Sequence, residues 1–185
     1  MRIVAGRLKG ERIEAPQGRV IRPTSDRARS ALFNILEHNP RFRPFTDCIF
    51  LDGFCGTGAV GLEAYSRGAA RVWLIDSDLR LATHNVSRLC STAETKLLRH
   101  DFSKPLANSG GTVFDFAFLD PPYGSGLVAV ASNQLVEAGF LAPNSVVIAE
   151  VERDEVVAKM PRFELIFARH YGRARFDFWS LQPEA

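Results

Sequence analysis

Four aspartates stand where strands of a sheet would end: Asp52, Asp76, Asp101 and Asp120. Carboxylates in that series can accept from hydroxyl, amine or amide groups and attract cations. The first opens the stretch Asp52-Gly53-Phe54-Cys55-Gly56-Thr57-Gly58-Ala59-Val60-Gly61. Gly56, Gly58 and Gly61 satisfy the literal G-x-G-x-x-G pattern of dinucleotide-binding turns. An apolar run leads in and a helical pattern leads out, the strand–turn–helix unit that builds a nucleotide-cofactor pocket in α/β sheets. The plainer alternative for the glycines is turn chemistry and close packing of helix on sheet.

The acids decide between cofactors. Asp76, with Ser77 beside it, lies twenty residues after Gly56, where an acid binding a ribose is expected. Dinucleotides and S-adenosylmethionine both contain that ribose, so Asp76 does not discriminate. Asp52 does. A carboxylate at the end of the first strand repels a pyrophosphate but suits a cofactor carrying an ammonium and a sulfonium. Gly53-Phe54-Cys55 also lengthens the turn ahead of Gly56. Farther on, Asp101-Phe102 pairs an acceptor for the adenine amine with an aromatic cover for its ring.

The most specific chemistry follows the fourth strand, at Asp120-Pro121-Pro122-Tyr123. Two prolines fix the backbone and remove two amide donors, which leaves carbonyls as outward-facing acceptors. Asp120 adds an acceptor and Tyr123 a flat face. A planar NH₂ group offers two donors and an attached group to stack, so the loop suits an exocyclic amine of a nucleobase or a side-chain amide. Accepting both N–H bonds favours a pyramidal nitrogen with its lone pair free to attack. The Asp120 carboxylate also stabilises positive charge developing on that nitrogen.

The elements that must position these residues alternate. Strands are expected at Cys48–Leu51, Val72–Ile75, Lys96–Leu98, Phe114–Leu119 and Val146–Val151, with helices at Ala59–Arg67, Leu79–Cys90 and Leu127–Ala138. Repeated βαβ units imply a parallel sheet covered on both faces. Residues 162–168 and 174–179 flank Tyr171-Gly172 with no helix between, which predicts an antiparallel hairpin at the end. Ahead of the core, residues 1–14 suggest a short hairpin or extended arm. Pro16-Gln17-Gly18 breaks it, and a helix starts near Arg22-Pro23-Thr24-Ser25-Asp26. The expected division is an N-terminal arm at 1–44 appended to a catalytic domain at 45–185.

Length and composition bound the class. The 185 residues, 46% hydrophobic and 24% charged, read as one globular domain without staples. Cys48, Cys55 and Cys90 are too few and too scattered for a disulfide framework or zinc site, and a reducing cytosol is the simplest compartment. Neither a signal peptide nor a membrane span is expected. The net charge of +2 conceals a basic arm: residues 1–29 hold eight Lys and Arg against three Asp and Glu. Seven of those eight are arginines, which suits phosphate forks better than generic solubility.

Asp120-Pro121-Pro122-Tyr123 resembles the (Asp/Asn)-Pro-Pro-(Tyr/Phe/Trp) motif of class I methyltransferases acting on amino groups. Arg22-Pro23-Thr24-Ser25-Asp26-Arg27, Ala31-Leu32-Phe33-Asn34-Ile35-Leu36 and Gly61-Leu62-Glu63-Ala64-Tyr65-Ser66-Arg67-Gly68-Ala69 narrow the likeness. Together they are similar to the RsmD family of bacterial 16S ribosomal RNA guanine-N2 methyltransferases, over nearly the whole chain. The resemblance implies a Rossmann-like α/β fold with a seven-stranded, mostly parallel sheet, an antiparallel C-terminal hairpin and a small basic N-terminal extension. It implies S-adenosyl-L-methionine as methyl donor and a guanine of 16S rRNA, in the small subunit or an assembly intermediate, as acceptor. Asp52, Gly53, Phe54, Cys55, Gly56 and Gly58 would then hold the methionine part, Asp76 and Ser77 the ribose, and Asp101 and Phe102 the adenine. Asp120, Pro121, Pro122 and Tyr123 would hold the target base.

A base buried in a stack must be flipped out before its amine can react. Arg2, Arg7, Lys9, Arg22, Arg27 and Arg29 are the candidates for gripping the flanking backbone. The chain departs from the family pattern at Cys55 and Thr57, and at Arg173 and Ala174, where a polar Asp or Asn and a Thr are expected. Rival readings are an adenine-N6 DNA methyltransferase, a glutamine-amide protein methyltransferase, a non-catalytic RNA-binding assembly factor and a nicotinamide-dependent oxidoreductase.

Overall fold

The computed structural model describes residues 1–15, 25–108 and 110–183. Arg22 and the Pro16-Gln17-Gly18 break lie outside the described residues. Seven strands form one mixed sheet in the order β3-β2-β1-β4-β5-β7-β6, with helices α1 to α4 between strands or before them. The chain divides into two compact units, Met1–Arg99 and His100–Ala185.

The first unit contains α1 (Asp26–His38), β1 (Ile49–Gly53), α2 (Ala59–Ser66), β2 (Arg71–Asp76), α3 (Arg80–Leu89) and β3 (Thr95–Arg99). Ser25 caps α1 by accepting from the Ala28 amide at 3.1 Å, and Asn39-Pro40 follows its last turn. Phe33 on α1 meets Phe45 edge-on and tilts against Phe50 of β1, with centroids 5.5 and 5.9 Å apart. Burying such rings stabilises the unit by about 1.5–3 kcal/mol each. β1 pairs with β2, and β2 with β3, all parallel. Every residue of α2 is buried. The helix ends at Ser66, one residue before the expected Arg67, and Gly68 at φ 100° follows.

The expected arm is a compact loop rather than a free extension. A single antiparallel bridge joins Arg2 to Arg12, and Ile3 and Ile13 are buried beneath it. Glu63 of α2, itself fully buried, accepts from the amides of Val4 (2.8 Å) and Ala5 (3.0 Å). Ser66 Oγ accepts from the Leu8 amide at 2.9 Å. Gly6 passes so close to α2 that a Cβ there would lie 1.9 Å from the Ser66 carbonyl oxygen. Asn85 of α3 accepts from the Glu14 amide and donates to the carbonyls of Glu14 and Thr57. Backbone groups of the segment are thus satisfied by buried side chains of two helices.

The second unit contains β4 (Phe116–Leu119), α4 (Leu127–Glu137), β5 (Val146–Glu152), β6 (Phe163–Tyr171) and β7 (Ala174–Leu181). β4 pairs parallel with β5, and β7 runs antiparallel to both β5 and β6. The expected hairpin is present, with Gly172 at φ 63° in its turn. β4 is buried throughout, as its uninterrupted apolar sequence requires. It begins at Phe116 rather than Phe114, whose amide bonds the Phe140 carbonyl at 2.8 Å while its ring stacks on Phe140. Arg175 forks onto Asp177 (2.7 and 2.8 Å) and donates to the carbonyls of Arg153 and Glu155. The segment after β5 is thereby tied to the hairpin.

Candidate active site

In the first unit, β1 delivers Asp52 into the interior, and Gly53 rather than Asp52 is the last strand residue. Phe54 then takes φ 61°, a left-handed conformation uncommon outside glycine. The Gly58 amide donates to the Cys55 carbonyl at 2.7 Å and closes the turn. Gly58, at φ 76°, leads into α2, and a Cβ there would press to 2.7 Å from Leu74. Gly61 packs against Asp52 itself, and its amide donates to Asp52 Oδ2 at 2.7 Å. The glycines therefore serve turn, packing and carboxylate binding together.

Asp52 is 2% exposed, and among the described residues no basic group pairs with it. Burial pushes its carboxyl up to about 8, opposed by the Gly61 hydrogen bond and reinforced by the Asp76 charge. A cationic ligand would reverse that penalty. Burial also pushes the Cys55 thiol well above its ordinary value, so Cys55 is a packed, unreactive thiol.

Asp76 ends β2 and accepts from the Gly56 amide through Oδ2 at 2.8 Å. Its Oδ1 accepts from the Asp78 amide at 2.9 Å and from the Ser77 hydroxyl at 3.3 Å. These bonds orient the carboxylate. Oδ2 retains acceptor capacity for a vicinal diol. The space above Gly56 is open. The turn therefore fits a ligand with a cationic end and a ribose.

In the second unit, Asp101 is exposed and accepts from the Ser103 amide at 2.9 Å, which holds its carboxyl below the usual value. Phe102 is the residue expected to cover an adenine ring. Its ring is 2% exposed and lies edge-on to His100, so it packs the interior. Gln134 Nε2 donates to the Phe102 carbonyl at 3.0 Å. The buried atoms His100 Nε2 and Gln134 Oε1 have no hydrogen-bond partner among the described residues.

The loop after β4 buries Pro121 and leaves Pro122 and Tyr123 exposed. The Pro122 carbonyl accepts from the Ser125 amide at 3.2 Å, so it is committed to the turn rather than turned outward. Tyr123 is 37% exposed, and its hydroxyl reaches Glu150 Oε1 at 3.5 Å. Glu150 sits inside the buried strand β5. In the sequence its only signal is that of a lone acid interrupting an apolar run.

The basic segment divides. Arg27 and Lys9 are exposed. Arg2 donates to the Gly10 carbonyl at 3.1 Å. Arg7 lies 3.8 Å over the Tyr65 ring and pairs with Glu94 at 3.5 Å. Arg29 is corrected outright. It is fully buried, paired with Asp26 (2.8 Å) and Glu63 (3.4 Å), and it donates to the Arg2 carbonyl. It braces the protein and cannot grip a phosphate. Glu63, which also binds Arg67 at 2.8 Å, is the hub of this network and was likewise missed.

Residues 1–180 match the family model described as Conserved hypothetical protein 95. The chain is 34% identical, over 97% of its own length and 93% of the relative's, to ribosomal RNA small subunit methyltransferase D of Haemophilus influenzae. It superposes on the solved yhhF protein of Escherichia coli with a TM-score of 0.83 at 29% identity, covering 100% of this chain and 99% of that one. An RNA methyltransferase of Salinibacter ruber, solved with S-adenosyl-L-homocysteine, shares the fold at a TM-score of 0.64 and 14% identity, over 88% and 95% of the two chains.

Proposed function

Because the chain belongs to the ribosomal RNA small subunit methyltransferase D family, we propose that it methylates the exocyclic N2 amine of a guanine in 16S rRNA. The observation that carries this reading is the Asp120–Tyr123 loop, which leaves β4 with a buried proline, an exposed aromatic face and a carboxylate at the strand end. S-adenosyl-L-methionine would supply a methyl group on a positively charged sulfur. Asp52 and the turn to Gly58 would hold its amino-acid end, Asp76 and Ser77 its ribose, and Asp101 its adenine amine.

The chain's own groups do the rest by positioning and electrostatics. Tyr123 stacks the base. Asp120 and the carbonyl of Pro121 accept the two N–H bonds of the amine, so its lone pair points away from the loop. Asp120 would offset the charge that grows on nitrogen as the N–C bond forms and the donor's S–C bond breaks with its electron pair going to sulfur, leaving S-adenosyl-L-homocysteine, and the surplus proton leaves afterwards to water. Residues 1–44 serve as the RNA-facing extension of the 45–185 domain, with Arg2, Lys9 and Arg27 toward the backbone. The small subunit or an assembly intermediate in the cytoplasm is the setting this substrate implies.

Transfer of labelled methyl to small subunits and to free 16S rRNA, followed by nucleoside analysis, tests the reading. N2-methylguanosine is the expected product. Label found only in N6-methyladenosine would overturn it.

A further inference from the structure

We infer that Asn85 is a positioning residue that couples the RNA-facing segment to the cofactor-facing turn, so that each ligand tightens the other. The inference rests on the rRNA-methylation reading above and deepens it. Asn85 lies on α3 and is fully buried. Its Oδ1 accepts from the Glu14 amide at 2.9 Å. Its Nδ2 donates to the carbonyls of Glu14 and Thr57, both at 3.0 Å. Both donors and the acceptor oxygen of the amide are therefore engaged. A single NH₂ group bridges the N-terminal segment and the glycine turn.

Thr57 stands between Gly56, whose amide binds Asp76, and Gly58, which leads into α2. In a regular helix the Thr57 carbonyl would accept from the Gly61 amide four residues on. That amide goes instead to Asp52 Oδ2, at 2.7 Å. Asn85 supplies the donor that Gly61 withholds, and Gly61 stays with Asp52. The group proposed to meet the cofactor's cation is thus held by an arrangement that Asn85 completes.

α3 grips the other side of the bridge as well. His84 Nε2 meets Glu14 Oε2 at 2.9 Å, and Arg88 donates to the Arg12 carbonyl. The helix also borders the turn, since a Cβ on Gly58 would lie 3.6 Å from that of Ala82. The N-terminal segment is joined to itself by an isolated β-bridge, Arg2 to Arg12, rather than by a strand ladder. Segments held largely by side chains open locally at lower cost than strands inside a sheet. If Glu14 leaves, the Asn85 amide loses two of its three bonds and can turn away from Thr57. Arg2 and Lys9, the exposed bases assigned to the RNA backbone, belong to this segment. RNA bound there favours the seated segment, and the seated segment keeps Asn85 on Thr57. By linkage, a ligand in the turn favours RNA binding by the same factor.

Labelled S-adenosyl-L-homocysteine, which has no methyl group to transfer, is the probe. Its affinity is measured by equilibrium dialysis for the protein alone and with saturating unmethylated small subunits or free 16S rRNA, whichever accepts label in the transfer assay. The wild-type protein is expected to bind the probe at least about fivefold more tightly with RNA. Asn85→Ala should bring that factor below about twofold. Asn85→Ser, too short to span both carbonyls, should do the same and serves if the alanine variant does not fold. A brace that merely supports the turn would weaken both affinities together and leave the factor unchanged, which overturns the proposal. A wild-type factor near one overturns it without any variant. A protein that labels neither form of the RNA defeats the rRNA-methylation reading itself, an outcome distinct from the other two.

Discussion

The glycine turn and the Pro-Pro loop are built by opposite means. Around the turn, both acids are engaged by backbone amides: Asp52 by Gly61, and Asp76 by Gly56 and Asp78. Its backbone is set by packing, with Gly58 pressed against Leu74 and Phe54 held left-handed. The loop from Asp120 is stiffened covalently by its prolines, and Tyr123 is 37% exposed with its hydroxyl 3.5 Å from Glu150. A cofactor of constant shape rewards a preorganised cradle, while a base that must be swung out of RNA rewards an open platform.

The largest test of this contrast is Asp120→Ala. It should lower methyl transfer by about 10³-fold, as removal of an electrostatic acceptor at a developing charge does. Cofactor affinity measured by calorimetry should stay within about twofold, since other residues are assigned to hold the cofactor. Persistent methylation would break the assignment of chemistry to the loop.

Next in size is a pair of arginine variants that extends the contrast to the basic segment. Arg29→Met should cost about 1–3 kcal/mol of stability in urea unfolding, because it removes one of the two arginines paired with buried Glu63. Arg27→Ala, on an exposed side chain, should leave unfolding unchanged and reduce the salt slope of RNA binding by about 1. Equal RNA phenotypes and equal stabilities for the two would contradict the division into brace and grip.

The smallest effect is a pH dependence within the turn. Asp52 is protonated in the free protein until the pH passes about 8, against an ordinary value of 3.8. The folded protein therefore holds a proton that the unfolded chain releases, and Asp52 makes stability fall as pH rises from about 4 to about 8. A cationic cofactor needs the ionised form, so its affinity should rise with pH, by at most about tenfold per unit, and level off above 8. Asp52→Asn should flatten that rise. A flat profile in the wild-type protein would mean that the cofactor's cation does not meet Asp52.

Much of this was legible in the residues. Alternating apolar runs and helical patterns placed β1 to β5 to within a residue or two, because strands buried on both faces must be apolar without interruption. The terminal hairpin was legible because no helix could fit between its strands. Element ends were less so: Phe114 looks like strand in sequence but is claimed by Phe140 instead.

Residue type and spacing determined the strand-end acids, the glycine turn and the Pro-Pro loop, since local backbone chemistry dictates those. Tertiary structure alone decided which charges face inward. Arg27 and Arg29 are two residues apart and chemically identical, yet on a helix they point to different sides, and only the fold puts Glu63 beneath one of them. The depth at which Phe102 is buried, and the approach of the Tyr123 hydroxyl to buried Glu150, are likewise set by the fold. Burial depends on what other segments bring to the same place, and no local pattern carries that information.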